Sequence, residues 1–354
     1  LTSMSYKIPL DSPLLCGNEL DYLTRCIKAN WLSHQGQFVQ ILKEELKSYL
    51  GVNHCIPVSS GTNAIFIALQ ALGIKPGDEV IVPSLTMSGC ITPIMLLGAT
   101  PVWIDCAVDS VNLDIDQIEN LITKKTKAIL AVDLYGTALD IARLKQKVNG
   151  IPIIEDMAES IGAIVNNKKA GNDCDIAIHS FHNKIIAAGE GGALTFNNNS
   201  LQEKIENFVT PSPNNVGSNE LILNSRISNL SAAVAVAQLE NIEYLIDQRR
   251  KIAQFYNENI DQKYHKIKEG LGQRWVYWRY QIYTPHRDKV CDYLNSKNIE
   301  ARPIFYPMHK HPKFKFKGKL PNCEKLSETG LDIPISPKMT LNDARLIVDT
   351  LNSI

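Results

Sequence analysis

Lys184 ends the run Asp175-Ile176-Ala177-Ile178-His179-Ser180-Phe181-His182-Asn183-Lys184, and Gly189-Glu190-Gly191-Gly192-Ala193 follows it. A lysine just past an apolar strand, ahead of a glycine cluster leading into another strand, is a demanding arrangement for an ordinary solvated cation. A lysine that attacks a carbonyl must first lose its proton, which burial favours. Taken alone, Lys184 also fits a plain surface lysine. His179 and His182 lie close by, but no third ligand has helpful spacing, so no metal site is expected.

Two further segments could serve such an amine. Ser59-Ser60-Gly61-Thr62-Asn63-Ala64 stands between an apolar strand and a helix. Glycine lets the backbone approach a ligand, and the N–H groups at the helix start favour a phosphate. A simple capping turn is the other reading, because serine and threonine are good N-caps. Ile153-Ile154-Glu155-Asp156-Met157-Ala158-Glu159 is an apolar strand ending in carboxylates. Open parallel sheets bind ligands at the carboxyl ends of their strands, where a buried Asp156 could pair with a protonated ring nitrogen. The alternative is that Glu155 and Asp156 open a solvated loop.

The elements that must position these residues alternate along the chain. The pattern predicts helices over Thr62 to Leu72, Met87 to Leu97, Ile115 to Ile122 (with Asp114 as N-cap) and Ala138 to Val148. Strands are predicted over Glu79 to Pro83, Pro101 to Asp105, Ala128 to Asp133 and Ile151 to Glu155, then Asp175 to Ile178 and Ala193 to Phe196. Short β-branched strands, each followed by a helical period, predict an α/β fold with a parallel sheet covered on both faces. A long helix is predicted from about Leu230 to Asn259, a strand over Val276 to Tyr283, and helices over Asp288 to Lys297 and Leu341 to Leu351. The expected organisation is a tag remnant and N-terminal arm over 1–10, a large α/β domain over 11–245 and a small α+β domain over 246–354.

Composition narrows the partners. Of 354 residues, 44% are hydrophobic and 21% charged, with a formal net charge of zero. That speaks against a nucleic-acid partner, which needs a basic excess. No apolar run reaches the roughly 20 residues of a membrane span. No segment reads as a signal peptide, and Leu1-Thr2-Ser3 ahead of Met4 reads as a tag remnant. The eight cysteines form no CxxC pair and suit reduced core thiols in a cytoplasmic protein. Pro211 to Asn219 is the most polar loop. Trp275, Tyr277 and Trp278 could stack on a base or sugar, or pack at a strand edge.

In order along the chain, these segments resemble the DegT-type sugar aminotransferases, a family of fold-type-I pyridoxal-phosphate enzymes. The resemblance begins at Trp31-Leu32-Ser33 and runs through Val58-Ser59-Ser60-Gly61-Thr62, Gly77-Asp78-Glu79-Val80-Ile81-Val82-Pro83 and Gly98-Ala99-Thr100-Pro101-Val102. It continues through Leu134-Tyr135-Gly136, Glu155-Asp156-Met157-Ala158-Glu159, Lys184 with its glycines, and Asn224-Ser225-Arg226. It ends at Arg302-Pro303-Ile304-Phe305-Tyr306-Pro307-Met308-His309. An ordered series of matches over nearly the whole chain is more specific than any one of them.

The resemblance implies a mostly parallel seven-stranded sheet between helices, plus the smaller C-terminal domain. It implies that Lys184 carries pyridoxal 5'-phosphate and later moves the proton, and that Asp156 pairs with the ring nitrogen. Glu159 would lie near ring and sugar. The Gly61 and Thr62 amides and the Ser180 hydroxyl would hold the phosphate. Met87 stands where the family often has an aromatic against the ring. Asn224 would reach the phosphate from a neighbouring subunit, making a homodimer with shared sites. His309, Trp31 and Tyr306 would face the substrate. The family usually places four residues between the phosphate serine and the lysine; here Phe181, His182 and Asn183 alone lie between Ser180 and Lys184.

The implied reaction takes an amino group from L-glutamate, by way of pyridoxamine 5'-phosphate, to a nucleotide-linked keto-sugar. The Arg302 to His309 stretch and Glu159 look most like members acting at C4 of a GDP-linked 4-keto-6-deoxy sugar for surface polysaccharide. Amination of another nucleotide keto-sugar (a C3 ketone, or a UDP or dTDP sugar) stays open. So does dehydration, although members of that kind carry histidine in place of the lysine. A non-enzymatic regulatory role is the third alternative.

Overall fold

The computed structural model describes residues 6–210 and 223–354. The first five residues, with the expected tag remnant, lie outside the described residues, as does the whole of the polar loop Pro211 to Asn219. Seven strands form the central sheet: β1 (His54–Val58), β2 (Glu79–Pro83), β3 (Thr100–Ile104), β4 (Thr126–Val132), β5 (Ile153–Asp156), β6 (Ile176–Ser180) and β7 (Gly192–Phe196). They lie in the order β1-β7-β6-β5-β4-β2-β3.

The strands are apolar on both faces because both faces are covered. Ile81, Ile129, Ala131 and Ile153 pack with Leu113, Ile115, Ile118, Ile141 and Leu144 on one side. Val80, Val82, Leu130, Val132 and Ile154 face the other side, with Ala64, Ile67, Ala68, Cys90, Ile91 and Ile94 in the same core. Successive residues of a strand point to opposite faces, so two-sided burial erases the polar alternation of a one-sided sheet.

The sheet is parallel from β3 through β2, β4 and β5 to β6. The sheet is thus mostly parallel, as expected, and the exception is at the other edge, where β7 pairs antiparallel with both β6 and β1. The connection from Ser180 to Gly192 contains no crossover helix, and parallel strands need one. It is this short return that carries Lys184.

Helices over Glu19–Lys28 (α1), Gln37–Leu50 (α2), Gly61–Ala71 (α3) and Ser88–Leu96 (α4) precede or interleave the first strands. The expected long helix after Leu230 is two helices, Asn229–Glu240 and Ile242–Asn259, broken at Asn241. There the Asn241 side-chain NH₂ donates back to the Ala237 carbonyl at 3.0 Å. The stretch Ile115–Leu121 is 3₁₀ rather than α-helical, with Asp114 accepting from the Asp116 amide as its N-cap.

Towards the C-terminus, Tyr280–Tyr283, Arg302–Pro303 and Gly330–Ile333 form a small antiparallel sheet. The strand expected from Val276 begins only at Tyr280, because Tyr277 takes φ +50 and ends extended pairing there. Segment 8–11 runs back against this region: Ile8 bridges Ile299, and the Leu10 amide donates to Glu300 at 2.7 Å.

Candidate active site

The carboxyl ends of β5 and β6 and the start of α3 converge on one place. Lys184 follows β6 after a tight turn in which Asn183 takes φ +43. The Asn183 carbonyl accepts the Trp278 indole N–H at 3.2 Å, which anchors the shortened Ser180–Lys184 connection. Lys184 is 7% exposed. Its Nζ lies 2.9 Å from Glu159 Oε1, 3.8 Å from Met87 Sδ and 3.4 Å from the centroid of the Trp278 ring. The surface-lysine reading is therefore excluded.

Glu159 is fixed from its other side. Its Oε2 accepts the Tyr135 amide at 2.7 Å, and Tyr135 takes φ +62 there. The Tyr135 ring stacks on Phe305 at 5.1 Å and its hydroxyl accepts the Phe305 amide. Gly136, at φ +92, lets the strand end reach the C-terminal segment: a Cβ would stand 2.6 Å from the Trp278 nitrogen.

Asp156, at the last position of β5, is 4% exposed, so it does not open a solvated loop. Its Oδ1 accepts the Ala158 amide at 3.0 Å and its Oδ2 the Cys90 thiol at 3.2 Å. Burial raises its pKa, and among the described residues no cation lies within ion-pair distance of it. A buried carboxylate without a counter-charge suits a protonated ring nitrogen.

A cup lies at the N-terminus of α3. Ser60 caps the helix by accepting the Asn63 amide, so Gly61 and Thr62 occupy the first turn, where N–H groups have no intrahelical partner. A Cβ on Gly61 would meet Ser180 Cβ at 2.9 Å, and one on Gly89 would meet Thr62 Oγ1 at 2.9 Å. The cup, the buried amine and the unpaired carboxylate fit the phosphate, aldehyde and ring nitrogen of pyridoxal phosphate.

The other expected site residues stand differently. His309 is buried; its Nδ1 lies 2.6 Å from Ser84 Oγ and its Nε2 3.2 Å from Glu324 Oε1, and burial lowers the pKa of the ring against the pull of the Glu324 carboxylate. Trp31 and Tyr306 are 47% and 57% exposed. Asn224 is exposed and accepts from Arg226 at 3.0 Å. Among the described residues, none of these three has a hydrogen bond, ion pair or ring contact with Lys184 or Asp156. Of the three aromatics left open between stacking and packing, Trp278 lies against the lysine, while Trp275 and Tyr277 pack with each other and the C-terminal core. Cys90 and Thr86 escaped sequence reading: a serine, threonine or cysteine near a helix start signals only a cap until the carboxylate it meets is known. Among the described residues, no group of three His, Cys, Asp or Glu could hold a metal ion.

A mixed seven-stranded sheet in this order, with a buried lysine on the return between its β6 and β7 strands, defines a fold-type-I enzyme that uses pyridoxal phosphate. Comparison with known proteins gives the family. The profile of the DegT/DnrJ/EryC1/StrS aminotransferase family matches residues 14–352. The chain is 34% identical over 361 residues to the GDP-perosamine synthase of Vibrio cholerae, covering 98% of both chains. It is 30% identical to the dTDP-3-amino-3,6-dideoxy-alpha-D-galactopyranose transaminase of Aneurinibacillus thermoaerophilus, covering 93% of both. A DegT DnrJ EryC1 StrS aminotransferase from Brucella abortus superposes with a TM-score of 0.89 at 27% identity, covering 95% of each chain. The chain belongs to the DegT/DnrJ/EryC1/StrS aminotransferase family and is a pyridoxal-phosphate-dependent sugar-nucleotide aminotransferase.

Proposed function

We propose that the protein transfers the amino group of L-glutamate to a nucleotide-linked 4-keto-6-deoxy sugar of the perosamine type, as a homodimer with shared active sites. The observation that carries the chemistry is the buried Lys184–Glu159 pair beside Asp156. The sugar reading rests on the similarity to GDP-perosamine synthases along nearly the whole chain. The cofactor supplies an electron sink for the carbon that loses or gains a proton. Lys184 anchors it and afterwards moves that proton, its amine held by the Glu159 carboxylate and the Trp278 ring. Asp156 holds the ring nitrogen in its protonated form. The Gly61 and Thr62 amides and the Ser180 hydroxyl hold the phosphate, and Met87 lies against the ring. Asn224 reaches that phosphate from the partner subunit. His309, Trp31 and Tyr306 border the substrate, with the His309 ring fixed by Ser84 and Glu324.

The test is a panel of GDP-, UDP- and dTDP-linked keto-sugars assayed with glutamate, read by product mass. The expected result is nitrogen retained in the GDP-linked 4-keto-6-deoxy sugar, with 2-oxoglutarate formed in equal amount. Amination of only a UDP or dTDP sugar would overturn the substrate assignment. A nitrogen-free deoxy product would overturn the reaction type.

A further inference from the structure

Asp156 carries the ring-nitrogen role in the proposed function, yet a full negative charge at 4% exposure is expensive unless hydrogen bonds sustain it. Its two donors differ in kind. The Ala158 amide is backbone and invariant to substitution. The other is the thiol of Cys90, in the first turn of α4. Cys90 receives a second contact: Thr86 Oγ1 lies 3.1 Å from its sulfur. Both side chains are buried, Thr86 at 2% and Cys90 at 5%. A thiol has one proton. If that proton goes to the carboxylate, Thr86 must be the donor to sulfur, so the three residues form a one-way relay, Thr86 to Cys90 to Asp156.

We infer that Cys90 is a positioning residue for the cofactor, holding Asp156 ionised through its thiol proton, with Thr86 orienting that thiol. Burial and the neighbouring carboxylate push the Cys90 thiol well above its ordinary pKa, so it stays protonated and serves only as a donor. The remaining charges acting on Asp156 are Glu159, which opposes its ionisation, and Lys184, which favours it. Those two also pair with each other. His179, on the adjacent strand β6, is kept neutral by burial, at about 3, and adds no charge. The relay is thus the adjustable term in the environment of Asp156. A thiol is a weaker donor than a hydroxyl, so Cys90 leaves the carboxylate more basic than a serine there would.

The inference rests on the ring-nitrogen role of Asp156, and the experiment separates the two. Cofactor affinity of the apoprotein is measured against pH by absorbance, with no turnover. For the unsubstituted protein, affinity falls on acidification as Asp156 takes up a proton. Cys90→Ala moves that acid limb upward by about one pH unit, the worth of one hydrogen bond to a charged group. Thr86→Val moves it in the same direction by less, and Cys90→Ser leaves it unmoved or lower. An affinity loss equal at every pH, or an upward shift in Cys90→Ser as large as in Cys90→Ala, would overturn the relay. If Cys90→Ala does not fold, the contrast between an upward shift in Thr86→Val and no upward shift in Cys90→Ser carries the test. Asp156→Asn is the control. If it leaves affinity unchanged at all pH values, the ring-nitrogen role itself fails. If it weakens binding while the Cys90 variants leave the limb in place, only the relay fails.

Discussion

Glu159 does two jobs with two oxygens: Oε1 faces the Lys184 amine and Oε2 accepts the Tyr135 amide. Glutamine cannot serve both, because its NH₂ would face one of two donors. Glu159→Gln is expected to lower kcat by ~10²-fold, the low end of what a positioned proton-transfer partner contributes. Circular dichroism should show an intact fold, and unaltered kcat would remove Glu159 from the mechanism. The sequence carried this residue through the family resemblance of the Glu155-Asp156-Met157-Ala158-Glu159 stretch. It left Trp278 open between stacking on a base or sugar and packing, because only the fold, with a positive φ at Tyr277 and a glycine at 136, brings its ring against the lysine.

At the scale of elements, two strand ends do most of the placing. The start of α3 meets the end of β6 so closely that Gly61 has no room for a side chain. Alanine at a helix start would ordinarily be neutral or favourable. Here Gly61→Ala should weaken cofactor affinity by about tenfold, measured as a dissociation constant by absorbance titration, by pushing Ser180 out of the phosphate cup. An unchanged constant would remove the cup from the phosphate. Behind the site, the ends of β4 and β5 bury Asp133 and Glu155 side by side, with no ion-pair partner among the described residues. Burial raises Glu155 to about 7 and lifts Asp133 as well. A carboxyl group whose folded-state pKa is raised holds its proton in the native state after the unfolded chain has lost it. Its contribution is complete below the ordinary carboxylate range of about 4.3 and is lost as pH rises to about 7. The urea midpoint of the apoprotein should therefore fall over that interval, and Glu155→Gln should flatten the fall. A midpoint that rises through the same interval would contradict the shared burial. The β2 to β5 strands were legible because each is a β-branched run between turn residues. The β7 strand was legible over Ala193 to Phe196, but its direction was not: reversal depends on the absence of a crossover helix, which a glycine-rich loop does not announce.

Across the whole molecule, segment 8–11 ties the N-terminus to the C-terminal region behind Trp278. Asp11 lies 3.2 Å from Arg249 and 3.7 Å from Arg279, with all three side chains buried. Arg279 in turn stands 4.3 Å from the Trp278 ring. Asp11→Ala leaves two buried guanidiniums without their carboxylate, and should destabilise the fold by about 3–5 kcal/mol, read from thermal unfolding. A change near zero would mean that the arm is not part of the folding unit. None of this was legible in advance, since the pairing joins residues more than 200 positions apart through a packing that no local pattern records. The α1 and α2 helices were missed for a different reason. Gln37–Leu50 buries Phe38, Leu42, Leu46 and Leu50 at a regular helical spacing, a signal present in the sequence but overshadowed by the chemistry further along.

The account depends most on the amine at position 184 holding the cofactor. Borohydride reduction of the cofactor-loaded protein, followed by peptide mapping, should place the pyridoxyl group on Lys184 alone, and Lys184→Ala should abolish the label. A label on another lysine, or none at all in a protein that binds the cofactor stoichiometrically, would contradict it.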